Sequence, residues 1–272
     1  MVNFMPIPIE ILDVLMPWVI SIALNTVLLA IAWFVPKKLL TPAGLIHAWI
    51  LGIVIWGTLG WRGYTVVMFY FLVGSAVTRI GMAEKEAAGI AEKRSGARGP
   101  ENVWGSALIA TFCALGAYIV STLSSAFTPE LVILFLLGYV ASFSTKLSDT
   151  CASEVGKAYG KRTFLITTFQ PVERGTEGAV SLEGTLAGVL GSAVIATLAW
   201  AVGLIGTLSI ALCIVAAFIA TNLESVIGAT LQSQFEWMTN EVVNIVNTLI
   251  GAVVAIGLAL LVQTMITQIA IG

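Results

Sequence analysis

Apolar residues run along this chain in long blocks separated by short polar stretches. A helix crossing a hydrocarbon core of about 30 Å needs roughly 20 mostly apolar residues. Eight blocks meet or approach that length, at residues 11–35, 43–59, 64–82, 103–122, 131–147, 180–204, 208–227 and 242–269. The second and third are short and separated by little more than Gly60-Trp61-Arg62-Gly63, the pattern of a tight hairpin. The pattern predicts an all-α polytopic transmembrane bundle of eight spans, with seven as the alternative count. Residues 1–272 would form one integral membrane domain, with polar loops at 83–101 and 146–179.

Composition removes the soluble alternatives. Hydrophobic residues make up 58% of the 272 and charged residues only 10%, against about 25% charged in an ordinary soluble domain. The 13 basic and 15 acidic residues nearly cancel, which leaves no field to attract nucleic acid. Cys113, Cys151 and Cys213 are too scattered for a disulfide framework or a metal-ligand spacing. His47, the lone histidine, argues against a His-based triad or a zinc centre.

Charge distribution sets an orientation. Twelve of the 13 basic residues fall after the first span, between the third and fourth, or between the fifth and sixth; Arg62 alone lies on the other side. The positive-inside rule places both long loops in the cytoplasm and both termini outside. No charged n-region precedes the first span, no small-residue cleavage site follows it, and no Arg- and Ser-rich transit segment is present. The expected setting is a bacterial inner or thylakoid-type membrane.

The segments 79–101 and 146–177 hold 18 of the 28 charged residues, so chemistry is expected on their face. In the first, Glu84-Lys85-Glu86 and Glu92-Lys93-Arg94 suit a solvated surface helix. Its end carries Arg98 and Asn102 into the fourth span, where an anionic head group could meet a helix N-terminus. The second loop is denser. If the fifth helix continues through it, Asp149, Ser153 and Gly156 share one face, with Glu154 and Lys157 on the next. Gly175-Thr176 and Gly178 offer backbone N–H groups as an anion nest. Gly156-Lys157 through Thr163 is not a P-loop, because three residues separate its glycines and Arg162 stands where Ser or Thr is required. Glu183 and Glu224 lie within otherwise apolar spans, where an acid usually lines a site or pathway. Asn240, Asn244 and Asn247 form a polar stripe that could equally be interhelical glue. Acids for Mg²⁺, cations for phosphates and glycines for close approach are the parts phosphoryl transfer needs. Residue types alone reach an enzyme or transporter handling an anionic phosphate ligand.

Asp149-Thr150-Cys151-Ala152-Ser153-Glu154-Val155-Gly156-Lys157, Leu165 to Val172, and Gly175 to Thr185 resemble the signature of the phytyl-phosphate kinase family. Glu224 to Gln232 and Asn240 to Asn244 match in order and spacing, so the resemblance runs from about Arg98 to Asn247. The Asp-Thr-x-Ala-Ser-x-x-Gly arrangement is also similar to dolichol and phytol kinases and to CTP-dependent lipid cytidylyltransferases. The resemblance implies CTP-dependent phosphorylation of phytyl monophosphate to the diphosphate, for tocopherol and phylloquinone synthesis. On that expectation Asp149, Glu154, Lys157 and Glu224 are catalytic, and Asp149, Glu154, Glu183 and Glu224 hold Mg²⁺. Lys146, Ser153, Gly156, Lys161, Arg162, Arg174, Gly175, Thr176 and Gly178 would bind the nucleotide phosphates. Arg98, Asn102, Asn240 and Asn244 would hold the lipid phosphate, with membrane lipids around the bundle. A transporter or flippase of an anionic lipid and a lipid cytidylyltransferase are the competing readings.

Overall fold

A computed structural model describes residues 9–35, 38–123, 129–232 and 234–271. Lys37 and the side chain of Lys93, both counted in the charge argument, lie outside them. The helices are α1 (Ile9–Phe34), α2 (Pro42–Val77), the short α3 (Met82–Ala87), α4 (Pro100–Leu123), α5 (Pro129–Tyr159), α6 (Leu182–Ala201), α7 (Thr207–Thr230) and α8 (Asn240–Ile271). All but α3 are long and apolar enough to cross a membrane, seven among the described residues. The expected all-α polytopic bundle is borne out.

α2 counts once in that tally but consists of two helices. Gly60 breaks it with φ 61° and ψ −159°, a conformation essentially reserved for glycine. Gly44 near its start and Gly74 near its end both lie against Arg98. A Cβ on Gly44 would sit 2.4 Å from the Arg98 carbonyl oxygen, and one on Gly74 2.8 Å from Arg98 Nη2. Thirty residues of straight helix would hold them about 45 Å apart. The helix therefore folds back at Gly60, giving the expected hairpin and eight crossing segments. Thr41 caps the first half by accepting from the Gly44 N–H at 3.0 Å, with Pro42 at the first helical position.

Both ends of the described chain lie at one end of the bundle. Just beyond α1, Leu40 bridges to Arg98, and α8 starts with Asn240 in the wall of the polar cavity described below. The outer ends of α1 and α8 thus point away from that cavity. Arg62 sits at the far end too, beside Gly203 between α6 and α7.

α5 is the central post. Two-thirds of its span is buried (67%), against 11% for α1, and it packs on α2, α4, α6, α7 and α8. Its closest neighbour is α6, drawn in by glycines on the facing side. A Cβ on Gly184 would lie 2.5 Å from the Ala152 carbonyl oxygen, on Gly188 3.0 Å from the Ser148 carbonyl, and on Gly191 2.9 Å from Cys151 Sγ. Small residues at this spacing let membrane helices approach closely, where dispersion is the main attraction. Between α5 and α6 the chain makes a small antiparallel hairpin, β1 (Thr163–Leu165) with β2 (Ala179–Ser181), Thr163 opposite Ser181. Ser181 then caps α6 by accepting from the Gly184 N–H at 3.1 Å.

Candidate active site

α5 does continue through the start of the polar segment, to Tyr159, so residues 146–159 are helix rather than loop. That continuation carries Lys146, Asp149, Ser153, Glu154, Gly156 and Lys157 into the wall of one cavity of about 500 Å³. Its other walls bring Arg98 and Asn102 from the first loop and α4, Gly175, Thr176 and Gly178 from the second loop, Glu224 from α7, and Asn240 and Asn244 from α8. Residues up to 146 positions apart in sequence thus share one space at the loop end of the bundle.

Lys146 occupies the centre. Its side chain is 9% exposed, and Nζ donates to Asp149 Oδ2 at 2.5 Å and to Asn244 Oδ1 at 2.6 Å. The Asp149 and Glu224 carboxyl groups interact across α5 and α7, and Asn247 Nδ2 donates to Glu224 Oε2 at 2.5 Å. Asn247 Oδ1 is buried without a hydrogen-bond partner. Two facing carboxyl groups thus share the Lys146 ammonium, and Arg94, Arg98 and Lys157 are the further cations in the lining. On the opposite wall, Arg98 Nη1 donates to Tyr70 Oη at 2.8 Å, and Tyr70 Oη in turn donates to Ser106 Oγ at 2.9 Å. Asn102 Oδ1 accepts from the Gly99 N–H at 2.9 Å and from Arg94 Nη2 at 3.2 Å. Asn240 is bonded to Gln232. The asparagine stripe therefore divides, each residue serving a different partner.

Several expected residues are engaged with other partners or lie outside the cavity. Glu154 is committed to a buried ion pair with Lys85 of α3, side chains 3% and 0% exposed, and Lys85 Nζ also donates to the Thr78 carbonyl at 2.8 Å. Glu154 is therefore not a free metal ligand, and Lys85 is not the solvated residue its sequence suggests. Glu183 is outside the lining: on α6 the cavity is faced by Gly184, Thr185, Gly188 and Val189. The four acids expected to share Mg²⁺ thus do not converge, and no group of three potential ligands forms among the described residues. Lys161, Arg162 and Arg174 line a separate pocket beyond the end of α5, with Phe164 and Glu173; Arg174 Nη1 donates to the Ala158 carbonyl at 2.9 Å. The nest is partly closed, since the Thr176 N–H donates to the Glu173 carbonyl at 3.3 Å. Gly156 and Gly178 line the cavity but are also packing glycines: a Cβ on Gly178 would meet Ala229 of α7 at 2.5 Å. Lys157 lies 3.7 Å from Glu154 and 3.8 Å from Glu92. His47 accepts from Trp104 Nε1 at 2.9 Å, a packing contact between α2 and α4.

Comparison with known proteins places this arrangement in a family. The chain is 66% identical to the uncharacterized membrane protein sll0875 of Synechocystis, over 89% of this chain and 91% of that protein. It is 47% identical to Protein VTE6, chloroplastic, of Arabidopsis thaliana, over 80% of this chain and 64% of that protein. The archaeal membrane protein MJ0933 of Methanocaldococcus jannaschii is 32% identical over 81% of this chain and 86% of its own. No solved structure matches. Residues 25–252, which include every wall of the cavity, match the model of the integral membrane protein family DUF92, and the chain belongs to that family.

Proposed function

We propose that the chain is a prenyl-phosphate kinase that uses CTP to convert phytyl monophosphate to phytyl diphosphate, with its cavity on the cytoplasmic face. The observation that carries this reading is the convergence of Lys146, Asp149 and Glu224 with Arg98 at the point where six membrane helices meet the loops. The resemblance of the Asp149–Lys157 and Gly175–Thr185 segments to phytyl-phosphate kinases supplies the substrates.

An oxygen of the monoester acceptor attacks the γ-phosphorus of the nucleotide. The new P–O bond forms as the bond to the β-phosphate oxygen breaks, and the nucleoside diphosphate leaves with that electron pair. A phosphate monoester is already ionised near neutral pH, so the step needs no strong base. Its demands are positioning and charge neutralisation. Arg98 and Asn244 are placed to orient the acceptor, while Lys146 and Lys157 face the transferring group. Asp149 and Glu224 fit Mg²⁺, which binds through one or two carboxylates together with substrate phosphates and water, and both line the cavity. Bound there, Mg²⁺ would supply neutralisation of the triphosphate charge.

The test is incubation of purified protein with Mg²⁺, phytyl monophosphate and each of CTP, UTP, ATP and GTP, with lipid products resolved by mass. Phytyl diphosphate with CDP is the expected result. Release of pyrophosphate with a CDP-lipid would make the protein a cytidylyltransferase, and flux of the monophosphate across liposomes without any lipid product would make it a transporter.

A further inference from the structure

The lining of the cavity differs from side to side. On α2 and α4 its deepest residues, Tyr70 and Ser106, are buried, 3% and 4% exposed. Between α6 and α7 the wall is made of Thr185, Val189, Phe218 and Asn222, all partly exposed, with Phe218 45% exposed. The reason lies in α6. Its glycines draw it onto α5, and its outward face, Leu186 and Leu190, is more than half exposed as lipid-facing residues are.

This side also runs deepest. Phe218 lies twelve residues before the loop end of α7 and Glu224 six, which places them about 18 Å and about 9 Å down the helix. Val189 is seven residues into α6, about 10 Å down. The lining thus reaches past the carboxyl pair along α6 and α7, to the apolar Val189 and Phe218 on this partly exposed side. An ionic reaction between phosphates needs no such extension, whereas an acceptor with its phosphate in the cavity and its hydrocarbon chain in the bilayer does.

We propose that the slot between α6 and α7, bounded by Val189 and Phe218, admits the hydrocarbon chain of the lipid acceptor and selects for its length. The inference rests on the kinase reading for its acceptor, a prenyl monophosphate. Lateral entry keeps the chain in an apolar medium throughout and presents only the phosphate to Lys146 and Arg98. An acceptor with a very short chain would engage the cavity without using the slot.

Two measurements test this. In the wild-type protein, a long-chain prenyl monophosphate bearing a diazirine in its tail should label α6 and α7 peptides on irradiation; labelling confined to other helices would overturn the slot. In kinetics, Val189→Trp should lower the ratio of kcat/KM for phytyl phosphate over isopentenyl phosphate about tenfold, since a pocket discriminates by what it can accommodate. Leu190→Trp, which faces lipid beside the slot, should leave that ratio as it is. Equal loss for both acceptors in Val189→Trp would remove the slot from chain selection. Wild-type protein that transfers phosphate to neither acceptor yet is labelled at α6 and α7 would refute the kinase reading and leave the lipid slot standing.

Discussion

Lys146 faces two acids. Its hydrogen bonds to Asp149 and Asn244 fix it between α5 and α8, while Glu224 adds a second acid from α7. Removing the Asp149 charge takes away the group that orients Lys146 and, on the proposed function, one of the two carboxylates for Mg²⁺. Asp149→Asn should therefore lower kcat by about 10²–10³-fold, the range for losing one preorganised electrostatic group, while the protein stays folded in detergent; near-normal turnover would remove Asp149 from the chemistry. Lys85 illustrates a different use of charge. Buried against Glu154, it ties α3 to the wall of the cavity. Lys85→Met would strand that carboxylate and should cost about 3–5 kcal/mol in stability, with Lys85→Met/Glu154→Leu recovering much of it. Thermal unfolding of the two variants in detergent measures the difference. Glu224 is legible in the sequence because an acid inside an apolar run stands out, and Lys146 and Asp149 because they open the densest polar segment. Lys85 is not: Glu84-Lys85-Glu86 reads as a wet helix, and its burial depends on a partner 69 residues away.

Among the elements, the α5–α6 pair sets the cavity's shape. Gly184, Gly188 and Gly191 face Ala152, Ser148 and Cys151 closely enough that added atoms must push the helices apart. Gly184→Val should destabilise the protein by about 1–3 kcal/mol, the usual cost of overpacking, and widen the approach to Asp149. A lowered melting temperature with raised KM for the nucleotide is the expected pattern, and an unchanged melting temperature would count against tight packing there. Helix lengths and the hairpin could be read from apolar block lengths. The faces of α6 could not, because a helix that is apolar all round gives no periodic signal; hence Glu183 was placed in a cavity faced by its neighbours Gly184 and Thr185. Likewise Lys161 and Arg162 follow the end of α5, and the turn at Gly160 carries them into a second pocket.

At the scale of the molecule, an even number of crossings places α1's start and α8's end together, opposite the cavity. Positive charge crowds the cavity end and leaves Arg62 at the other. With the cavity in the cytoplasm, Arg62→Cys should react with an impermeant maleimide from outside intact cells, and Lys161→Cys only after permeabilisation. The native thiols do not interfere, since Cys113, Cys151 and Cys213 are all buried. The opposite labelling pattern would invert the orientation.

The break at Gly60 also reaches the lipids. Each half of α2 has 17 or 18 residues, about 26 Å of helix, whereas the 32 residues of α8 extend about 48 Å. A short span is accommodated by local thinning of the bilayer and a long one by tilting or thickening. Mismatch of this kind predicts a bilayer thinned beside α2, so lipids of shorter chain should stabilise the hairpin.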